Sequence, residues 1–110
     1  MASNHVAAVL DAAGDMMRMA GLTPGSVWTA LAPLVRASVE NALRYGPAEA
    51  LTGPVARGDS DTVSAHVRAL DGNLLDLYRA AALRALRMAT ARGLDEKSEK
   101  DIRRVLLEGK

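Results

Sequence analysis

Leu51-Thr52-Gly53-Pro54-Val55-Ala56-Arg57-Gly58-Asp59 is a polar, Gly- and Pro-bearing run set between segments rich in Ala, Leu and Val. Its flanks read as helix, so the run is the loop around which an all-helical chain must turn. Downstream, Asp59 or Ser60 caps a helix of about residues 60–70, with Asp59 and Asp61 at its positive end. Upstream, residues 47–51 suit a single turn, and Gly46-Pro47 stops a longer helix that ends near Tyr45.

That longer helix opens at Thr23-Pro24, with Thr as the cap and Pro at the first helical position. Val27, Leu31, Leu34, Val35, Val39 and Leu43 spread over about half of its circumference, which predicts a central helix. Pro33 inside it should kink or disturb one turn. The first helix runs from about Ala2 to Ala20 and ends at Gly21. Val6, Val9, Leu10, Ala13, Met17 and Ala20 form its apolar face; Asn4, Ala8, Asp11, Asp15 and Arg18 lie opposite. Met1 leads almost directly into this pattern, as though the helix began further upstream.

Asp71-Gly72-Asn73 reads as a turn before a helix from Leu74 to Arg92. Its Ala81, Ala82, Ala85 and Ala89 share a face with Leu74 and Tyr78 and allow another helix to come close. Gly93 ends it, and Asp95 caps a last helix with Ile102, Val105 and Leu106 as its apolar stripe. The expected fold class is therefore all-α, about five helices in a single domain over residues 1–110.

Composition narrows the function. The 14 Lys and Arg nearly balance the 13 Asp and Glu, which argues against a nucleic-acid or polybasic membrane binder. Cys is absent, which excludes disulfides and Cys-ligated metals, and His5 and His66 lack the i,i+4 pairing of a zinc helix; no metal is expected. No apolar run reaches the ~18 residues of a membrane span, and no signal peptide is visible, so the expected location is cytoplasmic. There is no Gly-x-Gly-x-x-Gly turn, P-loop or Gly-x-Ser-x-Gly elbow. Asp11 and Asp15 share a face, where Arg18 makes a charge-compensated surface the simpler reading than paired-acid chemistry. The Arg57-Gly58-Asp59 triplet invites an adhesion reading, but its Asp is better explained as a helix cap.

The opening run offers the only concentrated chemistry. Thr52 supplies a hydroxyl, Gly53 permits close backbone approach, Pro54 fixes the turn, and Arg57 can grip a carboxylate or phosphate with two donors. The alternative is a loop held by its own hydrogen bonds, with Arg57 bridging to a helix C-terminus.

Ala2-Ser3-Asn4, Leu34-Val35-Arg36, Val39-Glu40-Asn41, Gly46-Pro47-Ala48 and the Thr52-Gly53-Pro54-x-x-Arg57-Gly58-Asp59 core are the residues of a wider resemblance. Together with Val63, His66, Leu70 and Tyr78, they make nearly the whole chain resemble one bacterial family. Its members join an N-terminal Rossmann-like domain to a helical C-terminal domain of unknown function. The family is similar to 6-phosphogluconate dehydrogenase, pyrroline-carboxylate reductase and ketopantoate reductase. The resemblance implies a 6-phosphogluconate dehydrogenase C-terminal-domain-like bundle that closes one side of a cleft and forms a homodimer. It also implies a partner Rossmann domain that binds NAD(P); this chain contains neither that domain nor the upstream turn where related reductases carry a catalytic Lys. No cofactor is expected to bind these residues alone.

On this reading Asn4, Asn41, Thr52 and Arg57 face the cleft, with Arg57 on a substrate carboxylate. The intact protein would transfer hydride to a small keto or imino acid, a ketopantoate-type reaction among the options. The rival reading is a free-standing helical interaction module without catalytic activity.

Overall fold

The computed structural model describes residues 1–109. Among them are seven α-helices and no strand: α1 (Asn4–Met19), α2 (Pro24–Tyr45), α3 (Pro47–Ala50), α4 (Pro54–Arg57), α5 (Ser60–Ala69), α6 (Gly72–Ala91) and α7 (Glu96–Glu108). Five are the helices expected from the sequence. The other two, α3 and α4, are four-residue single turns, each opened by proline at its first position. α4 lies inside the stretch read as loop. α6 begins earlier than expected, because Asp71 is its N-cap and Gly72-Asn73 already belong to the helix.

The chain divides into two compact units, Met1–Glu40 and Asn41–Lys110, with the boundary falling inside α2. In the first unit Gly14 of α1 is buried beside Trp28 of α2. A Cβ at Gly14 would stand 3.3 Å from the indole, so the bare backbone makes this contact possible. Val27, Leu31 and Ala12 are the buried apolar side chains here. The valines expected on the inner face of α1 behave otherwise: Val6 is 45% and Val9 49% exposed. α1 turns its smallest residues inward, and its larger ones are left at a groove. α2 departs from expectation in the same way. Leu34 and Val39 on its broad apolar surface stay exposed, so within this unit α2 is not the enclosed central helix its periodicity suggests. α2 runs through Pro33, whose missing N–H leaves the Thr29 carbonyl without its usual i+4 donor. On the polar side of α1, Arg18 pairs with Asp15 at 3.0 Å, the compensated surface expected there.

The second unit is built on α5, α6 and α7. Val63, Val67 and Leu70 from the α5 segment meet Leu75, Ala82, Leu86 and Ala89 of α6 and Ile102 and Leu106 of α7 in one core. Leu86, Ile102, Leu106 and Val63 are fully buried. The buried stripe of α6 is rotated from the expected one. Ala81 faces solvent, and Leu75 and Leu86 point inward beside Ala82 and Ala89, where the two leucines add apolar area to the buried face. α4 packs against α5 and α6 and adds Val55 to the core. Arg79 of α6 donates to the Gly109 carbonyl at 2.5 Å and so ties down the end of α7. Lys97–Asp101, Lys100–Glu96 and Arg103–Glu99 pairs line exposed α7; such pairs give solubility more than stability.

Three outcomes follow for stability. Leu86→Ala should destabilise the second unit by about 2–5 kcal/mol in urea unfolding, the range for a truncated buried leucine. Gly58→Ala should cost upward of about 1 kcal/mol, because Gly58 holds φ +72° and a Cβ there would meet Ser98 Oγ at 2.9 Å. Gly25→Ala, in ordinary helix with open space around it, should raise the melting temperature.

Candidate functional site

The stretch 51–59 is a built corner. Gly53 (φ +94°) brings the chain to Pro54, and α4 makes one turn. Gly58 then closes it in the left-handed region, with its N–H on the Val55 carbonyl and the Asp59 N–H on the Pro54 carbonyl. These two bonds form a Schellman end, which satisfies carbonyls that a helix terminus leaves open. Asp59 immediately caps α5: its carboxylate accepts from the Thr62 N–H at 3.1 Å and the Thr62 hydroxyl at 2.7 Å. One residue thus finishes one helix and starts the next.

Arg57 stands on the outer side of this corner, its side chain 61% exposed and 3.6 Å from Asp59 Oδ2. The Asp59 oxygens are already engaged by Thr62, so the contact is a loose flanking one. A guanidinium has five N–H donors, and most of its donor edge is left for another group. The bridge to a short helix's carbonyls, which the sequence suggested for Arg57, is made by Arg92. Its Nη1 donates to the Ala48 carbonyl at 2.8 Å and the Leu51 carbonyl at 3.2 Å. These carbonyls close a four-residue helix and lack donors of their own, which is why an arginine is needed there. Arg92 therefore fixes the backbone that leads into Thr52. Sequence reasoning placed it only as the end of a helix; no local motif marks a contact across more than forty positions.

Thr52 is exposed between α3 and α4, and Asn41 is exposed on α2. Asn4 is the first residue of α1, exposed, with its side-chain oxygen 3.3 Å from His5 Nδ1. Asn4 belongs to the first unit and the other three candidates to the second. Among the described residues, no hydrogen bond or ion pair joins any two of the four. His66 and Tyr78 meet as an edge-to-face pair, with 2.9 Å between His66 Nδ1 and the phenol oxygen, and burial pushes the Tyr78 hydroxyl's pKa up.

No cluster of three potential metal-binding side chains exists among the described residues. None of their helices is long and apolar enough to cross a membrane. The glycine turns here precede a helix of one turn and follow no strand, so the residues do not fit a dinucleotide cradle, which needs a strand, a glycine-rich turn and a full helix.

The Thr62 hydroxyl, the Thr62 N–H and the nearby Arg57 hold the Asp59 carboxyl below its ordinary pKa. The Ser98 N–H does the same for Asp95, and Lys97 for Asp101. A carboxyl lowered in the folded state stabilises fully above its unfolded pKa and loses that contribution as pH falls through the folded value. The melting temperature should therefore drop on acidification below about pH 4, near the ordinary aspartate value. Asp59→Asn should make that drop shallower, as read by thermal unfolding across a pH series.

Residues 1–85 match a family described as a domain of unknown function, DUF2520. No curated protein and no solved structure gives a significant match. The matched region runs from α1 into α6 and takes in Asn4, Asn41, Thr52 and Arg57, and it leaves out α7. With most of its length matched, corner and candidate residues included, the chain belongs to the DUF2520 family.

Proposed function

We propose that this chain is the helical substrate-side and dimerisation domain of an NAD(P)-dependent oxidoreductase. Its fold is then a 6-phosphogluconate dehydrogenase C-terminal-like bundle, and the reaction is hydride transfer to a small keto or imino acid. A ketopantoate-type reductase is one specific identity within this class. The dinucleotide belongs to a Rossmann domain outside these residues, and no chemical step is assigned to this chain.

The observation that carries the reading is the presentation of Arg57. Its backbone is held by α4, the left-handed Gly58 and the Asp59 cap, while its guanidinium is exposed and only loosely flanked by Asp59. Such a group binds a carboxylate in a fixed orientation with little reorganisation. Thr52, on backbone anchored by Arg92, supplies a neutral donor, and Asn41 adds an exposed amide from the same unit. The exposed apolar surface of α1 and α2 also favours a second reading, a free-standing interaction module.

Reductase kinetics of the intact two-domain protein with NADH or NADPH and a panel of keto and imino acids separate the two. Arg57→Ala should raise KM for the acid about 10- to 100-fold, the loss expected for a charge-assisted hydrogen-bonded pair, with a smaller effect on kcat. Unchanged kinetics remove Arg57 from the cleft, and no turnover with any of the panel favours the interaction module.

A further inference from the structure

The N-cap Asp59, Thr62 and His66 follow one another at spacings of three and four, so they share one side of α5, while Val63, Val67 and Leu70 occupy the buried side. Arg57 Nη2 stands 3.6 Å from Asp59 Oδ2, which lies 2.7 Å from the Thr62 hydroxyl. One turn further along, His66 Nδ1 is 2.9 Å from the Tyr78 hydroxyl of α6. A single polar row therefore runs along α5 from an exposed guanidinium to an exposed imidazole. The two ends are on the order of 10 Å apart, from the contacts around Asp59 and the ~6 Å between side chains one helical turn apart.

The middle of the row differs from its ends. Asp59 accepts from both the N–H and the hydroxyl of Thr62, so these two side chains are engaged with each other. At one end Arg57 keeps most of its donors outward. At the other end the Tyr78 phenol decides the state of the imidazole. Burial pushes its pKa up, so the phenol keeps its proton and donates it to His66 Nδ1. A neutral imidazole that accepts at Nδ1 carries its own proton on Nε2. The ring is exposed, and among the described residues no hydrogen bond engages Nε2.

We infer that this row is an elongated binding strip: Arg57 holds one carboxylate of the substrate acid, and the Nε2–H of His66, set by Tyr78, receives a second acceptor at the far end of the same molecule. The inference rests on the reading of Arg57 given above and narrows its substrate class. Donors at both ends and a middle engaged with itself fit an acid with an acceptor at each end and little polarity between, a dicarboxylic acid or its monoamide. The reducible keto or imino group is then a substituent on that chain. A chain of about five to eight carbons closes the gap, at ~1.2 Å per bond with a hydrogen bond of ~2.9 Å at either end.

NMR titration of the 110-residue chain with glutarate, adipate, pimelate and suberate, each against the monocarboxylate of equal length, tests the inference. One dicarboxylate of the series should bind about tenfold more tightly than its monocarboxylate, the gain of one charge-assisted hydrogen bond and well beyond the statistical advantage of two equivalent ends. It should also move the His66 Nε2 resonance, and the ring nitrogens should report the Nε2–H form before any acid is added. His66→Ala should bring that dicarboxylate down to the level of its monocarboxylate. His66→Gln, whose amide N–H reaches to the depth of Nε2, should keep most of the gain. A residue that only staples α5 to α6 would change stability in His66→Ala and leave the ratio of the two affinities where it was. A ratio near unity at every length, a ratio that His66→Ala does not change, or no binding by any of the acids overturns the inference. Monocarboxylates that bind through Arg57 without gain from a second carboxylate sink the strip and leave the Arg57 reading standing. That reading is decided separately by the Arg57→Ala kinetics of the intact protein.

Discussion

The second unit depends on the corner at Gly58-Asp59. A Cβ at Gly58 would fall 2.9 Å from Ser98 Oγ and 3.3 Å from Leu94 Cδ1, so the turn between α4 and α5 lies directly on the start of α7. Only a residue without a side chain, held in the left-handed region, reverses the chain in that space. Asp59 then commits the next residues to α5, and Asp95 caps α7 by the same device, accepting from the Ser98 N–H. Two helix starts and one helix end are thereby gathered around one glycine. The stripes Val63–Val67 and Ile102–Leu106 are brought to face each other as a consequence.

That corner also governs what Arg57 can do. A guanidinium on a wandering loop would spend binding energy on being ordered. Here the backbone beneath it is fixed on both sides, by the Schellman bonds after α4 and by the Arg92 clamp before it. The two arginines divide the roles: one saturates orphan carbonyls of a short helix, and the other keeps its donors outward. The first unit is organised by the opposite circumstance. Its buried contacts are few and small, Gly14 against Trp28 and Ala12 and Val27 nearby, and its large aliphatic side chains line an open groove. Helix periodicity there is satisfied by a surface that still lacks its cover.

Much of the fold is legible in the residues. Thr23-Pro24, Gly46-Pro47, Asp59 and Asp95 mark helix ends because their effects are local: a missing N–H, a positive φ, a side chain that reaches its own third N–H. The single turn α4 was not legible as helix. Four residues carry no periodicity, and what stabilises them is Val55 in a core assembled from α5 and α6. The rotation of the α6 stripe, with Leu86 buried and Ala81 exposed, escaped for a related reason. An alanine-rich helix presents two nearly equivalent faces, and the neighbours choose between them. In the candidate site, Thr52 and Arg57 stand out by type and by their place beside glycine and proline. Arg92 does not, since its partners, Ala48 and Leu51, are distant in sequence and contribute only backbone carbonyls.

By itself the sequence determined the helical class, most helix ends, the lack of cysteine chemistry and the run 51–59 as the corner where glycine, proline and polar side chains concentrate. Each of these follows from conformational preferences and hydrogen-bonding groups within a few residues. Only the tertiary structure decided which apolar faces are covered, which arginine clamps and which reaches outward, and that Val6, Val9, Leu34 and Val39 surround an open groove. Burial and long-range hydrogen bonds depend on neighbours brought together by the fold, and a local pattern shows that a face avoids water without showing what will cover it.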